Sequence, residues 1–258
     1  MPRPPAKPRR NPLLPFYVLL GVVFLAGAFM LFRQSTGGGA AANTLEQVVM
    51  TPEQLQRVPG ISQGAANAPL VLMEFADFQC PGCGQFARFS KPLMKDYVDN
   101  GTVRFVWYDF PLTQIHKNAV LASRAGRCAN DQNQFWAYHD AVFTNQTQWS
   151  ESEKAADRFV EYAERVGLDR GAFGECLRSE KYQKEVSESF QLGTTLGVNS
   201  TPTLFLNGKR VQETPQTRAD WDALIRAELG SAAPAAAPVT GAATAPAAGA
   251  APATSSAP

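Results

Sequence analysis

Cys80 and Cys83, separated by Pro81 and Gly82, are the residues best placed to do chemistry in this sequence. A CxxC pair serves either as half of a metal site or as a dithiol that cycles through a disulfide. Structural zinc takes four ligands, commonly a second CxxC or paired histidines. The other two cysteines, Cys128 and Cys176, have 47 residues between them, and the histidines are His116 and His139. The spacing argues for redox exchange without a metal or a cofactor. An inert local disulfide is the plain structural alternative.

The elements around the pair favour exchange. Leu70 to Phe75 is a short apolar run that reads as a buried strand, and the loop Ala76–Gln79 carries it to Cys80. From Cys80 to Asp99 the pattern is helical, with Phe86, Phe89, Leu93 and Tyr97 on one face, a kink expected at Pro92, and a stop at Asn100-Gly101. Free N–H groups and the macrodipole at a helix start favour an anion, which brings a cysteine there to a pKa of roughly 3.5 to 7.5. Cys80 is thus expected to be the attacking thiolate. Cys83, one turn in, is expected to be buried and to resolve.

Farther on, Thr102 to Asp109 alternates as a second strand, and residues 116–196 are helical in pattern with breaks near Asn130, Asn145 to Ser150 and Gly167 to Gly174. The aromatic residues Phe135, Trp136, Tyr138 and Phe143 read as core of that block. Thr203 to Leu206, Asn207-Gly208 and Lys209 to Gln212 read as a hairpin, because Asn-Gly suits a two-residue turn. A helix over about Thr217 to Leu229 closes the domain. The order predicts an α/β fold, a βαβ unit and a ββα unit around a mixed sheet with a helical insertion, over residues 64–230.

Glu74–Cys83 (EFADFQCPGC) followed far downstream by Val198–Thr203 (VNSTPT) resembles the DsbA-like branch of the thioredoxin superfamily. The resemblance covers about residues 64–229 and implies a thioredoxin-like fold and a thiol-disulfide oxidoreductase. It also implies that Pro202 is cis and, with Thr201, packs opposite the cysteines, beside Pro81 and Gly82; the alternative is an ordinary trans turn before a strand. It implies that Glu74 lies beneath the pair and exchanges a proton with the buried thiol; the alternative is a strand-end glutamate reaching solvent. His116 recurs in similar sequences but reads as structural. Exported protein thiols are the implied substrates, and the implied recycling partner is a quinone-linked thiol oxidase or an electron donor in the membrane. Gly82 departs from the best-known oxidases of the family, which carry histidine there. The direction of exchange, oxidase against reductase or isomerase, therefore stays open, as does a non-catalytic chaperone or binding module.

The ends differ from the middle. Pro12 to Phe32 is a run of 21 uncharged residues, long enough to span a bilayer as a helix, so it reads as a signal anchor; a cleaved signal is the competing reading. Five basic and no acidic residues in residues 1–33 place residues 1–11 in the cytoplasm and everything after the anchor outside it. Removing those five leaves 19 basic against 23 acidic residues, a body of about −4, which argues against a nucleic-acid surface. On the exported side Cys128 and Cys176 are expected to form a structural disulfide; a second redox relay is the alternative. Residues 33–63 read as a linker with a short helix at Thr51 to Arg57. Residues 231–258, with 14 Ala and 5 Pro, read as a disordered tail.

Overall fold

Leu70–Ala76 (β3) is apolar apart from Glu74, and a strand of that composition is stable only when both faces are covered. It lies at the centre of a six-stranded sheet of order β1 (Leu45–Gln47), β6 (Lys209–Val211), β5 (Thr203–Leu206), β3, β4 (Val103–Asp109) and β2 (Ile61–Gln63). This computed structural model describes residues 45–47 and 58–231. β4 (Val103–Asp109) runs parallel to β3, pairing Leu70 with Val103 and Ala76 with Asp109. β5 (Thr203–Leu206) is antiparallel on the other side, with Glu74 opposite Leu204, and β6 (Lys209–Val211) follows it. Asn207 and Gly208 both take positive φ, as a primed turn requires, and Asn207 Oδ1 accepts from the Val71 N–H at 2.7 Å. The mixed sheet and its two units match the order expected from the sequence.

The linker expectation needs correction. Residues 33–63 contribute two edge strands, β1 (Leu45–Gln47) antiparallel to β6 and β2 (Ile61–Gln63) antiparallel to β4. Three-residue strands are too short to show a period. The helix at Thr51 to Arg57, the apolar run 12–32 and the tail beyond residue 231 lie outside the described residues. Among the described residues no helix is long and apolar enough to cross a membrane.

After β3 the chain winds through α1 (Pro81–Gln85), a π turn (Phe86–Ser90), a 3-10 turn (Lys91–Met94) and α2 (Lys95–Asp99). Pro92 has no N–H to donate, so regular α winding fails around it. The wide turn adds a residue and rotates the apolar face. Phe89, expected inside, is consequently 69% exposed, whereas Phe86, Ser90, Met94 and Val98 are buried.

The insertion consists of α3 (Ala119–Asp131), α4 (Phe135–Thr144), α5 (Gln146–Trp149), α6 (Ala155–Arg165), α7 (Arg170–Arg178) and α8 (Gln183–Thr195). α9 (Arg218–Ser231) closes the domain from a capping box in which the Thr217 hydroxyl accepts from Asp220 N–H and the Asp220 carboxylate accepts from Thr217 N–H. Because strand side chains alternate, Leu70 and Leu72 of β3 point into one apolar cluster while Met73 and Phe75 enter the cluster on the opposite face. Glu74 shares the face of Leu72 and Ala76. Cys80 and Cys83 belong to the same cluster as Phe135, Tyr138, Phe143, Trp149 and Phe159 of the insertion, so the pair sits against the insertion's core.

Candidate active site

Cys80 occupies the N-cap of α1 with extended backbone (φ −67°, ψ 123°), and Pro81 takes the first helical position, where a missing N–H costs nothing. Its N–H donates to the Asp77 carbonyl at 3.0 Å, and its own carbonyl accepts from Gly84 N–H at 3.1 Å. The Cys80 thiol donates to the Thr201 carbonyl at 3.3 Å, and the Thr201–Pro202 peptide bond is cis. A Cβ added at Gly82 would lie 3.4 Å from Pro202 Cδ and 3.7 Å from Cys80 Sγ, so Gly82 faces the same loop. The structure thus brings Cys80, Pro81, Gly82, Thr201 and Pro202 together. Cys80 is 9% exposed and Cys83 fully buried, and both are free thiols.

Their electrostatics differ. The Cys83 thiol foremost, followed by Thr201 and then the main-chain N–H groups of Cys83 and Gly82, lowers the Cys80 pKa to about 5 against the pull of burial. Burial pushes Cys83 well above the ordinary thiol range, and Cys80 and Glu74 add to the effect. Glu74 is 1% exposed, so it does not reach solvent, and neither carboxylate oxygen has a hydrogen-bond partner. Burial raises its pKa to about 8, with Lys91 opposing and Cys80 reinforcing the shift. Lys91 is itself pushed down by burial; its Nζ lies 4.5 Å from the Trp136 ring centroid and 3.4 Å from Asp140 Oδ1. At neutral pH this gives an ionised outer thiol, a protonated inner thiol, and an acid between water-excluding walls that titrates close by.

Other residues at the site had a weaker signal in the sequence. Asp77, three residues before Cys80, is fully buried, and its Oδ1 accepts from Gln79 N–H at 2.7 Å. Aspartate two residues before its partner is an Asx turn, a legible pattern. Gln79 donates to the Ser150 carbonyl at 2.8 Å and accepts from Asn118 N–H at 2.8 Å. Gln146 donates through Nε2 to the carbonyls of Phe78 (2.8 Å) and Cys80 (2.9 Å). Nothing local in the sequence marks Gln146, because its partners lie 66 and 68 residues away. His116 Nδ1 stands 2.7 Å from Asp77 Oδ2. Cys128 and Cys176 lie apart from the pair, joined in a disulfide between α3 and α7 with 5.9 Å between Cα atoms.

The thioredoxin family model matches residues 56–227. Among curated relatives, a Na(+)/H(+) antiporter, NhaA 3, of Salinispora tropica is 35% identical over 148 residues, 57% of this chain and 22% of that protein. The chain therefore spans about a fifth of the length of such antiporters. A Bacillus cereus protein named "Probable disulfide bond formation protein D" is 28% identical over 152 residues, 57% of this chain and 69% of that protein. Among solved structures, oxidised BdbD of Bacillus subtilis superposes with a TM-score of 0.61 at 21% identity, covering 73% of this chain and all of that one. Reduced DsbA of Mycobacterium tuberculosis superposes with a TM-score of 0.55 at 25% identity, covering 66% of this chain and 92% of that one.

Proposed function

We propose that this chain, which belongs to the thioredoxin family, is a thiol-disulfide oxidoreductase that introduces disulfides into exported proteins through Cys80 and Cys83. The observation that carries the reading is the Cys80 sulfur at a helix start against the Thr201–Pro202 loop, with a buried partner thiol one turn away. A substrate thiolate attacks Cys80 of the oxidised pair, and Cys83 leaves with the electron pair. The substrate's second thiolate then displaces Cys80, so the substrate is oxidised by two electrons and the pair is reduced. A Cys80 stabilised as thiolate is a good leaving group in that second step, which favours oxidation even though Gly82 supplies no imidazole. Glu74 is the proposed proton carrier for Cys83.

The apolar run 12–32 is the proposed anchor, holding the domain outside the cytoplasm beside a membrane protein that reoxidises the pair. Replacing Cys83 with Ala in the full chain should trap mixed disulfides at Cys80 in exported extracts, and the reduction potential of the wild type should lie well above the −270 mV or so of thioredoxin. Failure to trap would remove the oxidoreductase reading. A thioredoxin-like potential would turn the direction to reductase.

A further inference from the structure

Asp77 uses every hydrogen-bonding group it has, and between them these reach both cysteines. Its carbonyl accepts from Cys80 N–H at 3.0 Å, and its N–H donates to Cys83 Sγ at 3.5 Å. Its Oδ1 accepts from Gln79 N–H (2.7 Å), and its Oδ2 accepts from Leu112 N–H (2.8 Å) and from His116 Nδ1 (2.7 Å), which must be the donor because a carboxylate only accepts. The carboxylate is fully buried and His116 is mostly so. A buried carboxylate is costly, and a loop turn alone would be served by Asn or Ser.

Resting on the oxidoreductase reading, we propose that Asp77 is a positioning residue for the resolving thiol, its N–H held on Cys83 Sγ by a carboxylate that His116 anchors. The need arises in either direction of exchange. When Cys83 attacks a mixed disulfide, its thiolate forms the Cys80–Cys83 bond and the Cys80–substrate bond breaks; the substrate sulfur leaves with the electron pair and takes up a proton. In reverse, Cys83 is the leaving thiolate. Both routes place charge on a sulfur shut off from water, where a fixed N–H donor is worth most. The Asp77 amide already pulls the Cys83 pKa downward, against burial. Without the His116 donor the buried carboxylate is one partner short, and the turn that aims the amide relaxes.

The test uses the reduced full chain mixed with oxidised glutathione, following by acid quench and mass the formation of the Cys80–glutathione mixed disulfide and then its resolution by Cys83. His116→Phe should slow resolution about tenfold, the loss expected for a hydrogen bond to a charged group, with the Cys80 step within about twofold of wild type. His116→Gln, which restores an N–H donor, should recover most of the resolution rate. Equal slowing of both steps would mean general damage, and an unaltered resolution step would mean the anchor is idle; either overturns the proposal. Should His116→Phe not fold, His116→Ala is read by the same two rates: an unslowed resolution step, or equal slowing of both steps, overturns the proposal. A wild type that forms no mixed disulfide overturns the oxidoreductase reading itself, and the inference falls with it.

Discussion

Two sulfur atoms of the same residue type, three positions apart, are set to opposite protonation states by what surrounds them. Because the Cys83 thiol is the largest cause of the lowered Cys80 pKa, thiolate absorbance near 240 nm should titrate with a midpoint near 5 in the wild type and clearly higher in Cys83→Ala. An unmoved midpoint would mean that the helix start, and not the partner thiol, controls Cys80. Glu74 makes a stability prediction. Its folded pKa is raised from 4.5 to about 8, so between those values the folded chain holds a proton that the unfolded chain has lost. Folding stability then falls as pH rises through that window, by on the order of 5 kcal/mol from this group. His139, lowered by burial to about 4, and Cys80 pull the other way over part of the same range, so the wild-type curve by itself is ambiguous. The difference between Glu74→Gln and wild type isolates the term: in urea melts of the reduced proteins the variant's advantage should grow from pH 4.5 to 8. A constant difference would mean that Glu74 is not the titrating group. The sequence showed an acidic residue interrupting an apolar strand, but whether its side chain turns inward depends on the helix packed over it.

At the scale of elements, the strand–loop–helix around the pair is held from the insertion, not only from the sheet. α5 sends Gln146 to the Phe78 and Cys80 carbonyls, and the chain just after it receives Gln79 at the Ser150 carbonyl. Gly84 leaves the space this requires, since a Cβ there would fall 2.6 Å from Gln146 Oε1. Gly84→Ala should therefore displace Gln146 and cost about 1–3 kcal/mol. Gln146→Ala should cost about 1–2 kcal/mol, because the Cys80 carbonyl keeps Gly84 N–H while Phe78 loses its side-chain donor. If the two changes act through the same bonds, the double variant will cost less than their sum in a denaturation cycle. Strict additivity would separate them. This clamp was not legible in the sequence, whereas β3, β4 and the Asn207-Gly208 hairpin were, because their signals are local alternation and turn chemistry. The face of the helix after Cys80 was misread at Phe89, because Pro92 marks a kink but the spacing of apolar residues does not show that the winding before it widens into a π turn that rotates the face.

Across the whole domain, the insertion and the thioredoxin-like half share one apolar cluster and a buried ion pair, Arg127 Nε to Asp109 Oδ2 at 2.6 Å. Cysteine number and the expected export made the Cys128–Cys176 pairing legible; the edge strands β1 and β2 were not, being three residues each and too short to show alternation. The disulfide separates stability from chemistry. Its cysteines are 48 positions apart, and closing a loop of that size restricts the unfolded chain by about 4 kcal/mol in the chain-entropy treatment. The loop encloses Gln146 and the residues that receive Gln79, yet in the folded state those groups are held by their own hydrogen bonds and by the shared core. The disulfide therefore acts mainly on the unfolded ensemble and leaves the native site in place. Replacing both Cys128 and Cys176 with Ala should lower the urea midpoint by an amount corresponding to about 4 kcal/mol while the Cys80 thiolate midpoint stays near 5. If the thiolate midpoint rises together with the loss of stability, the crosslink is holding the clamp in its native position, and the insertion tunes the Cys80–Cys83 pair through the disulfide.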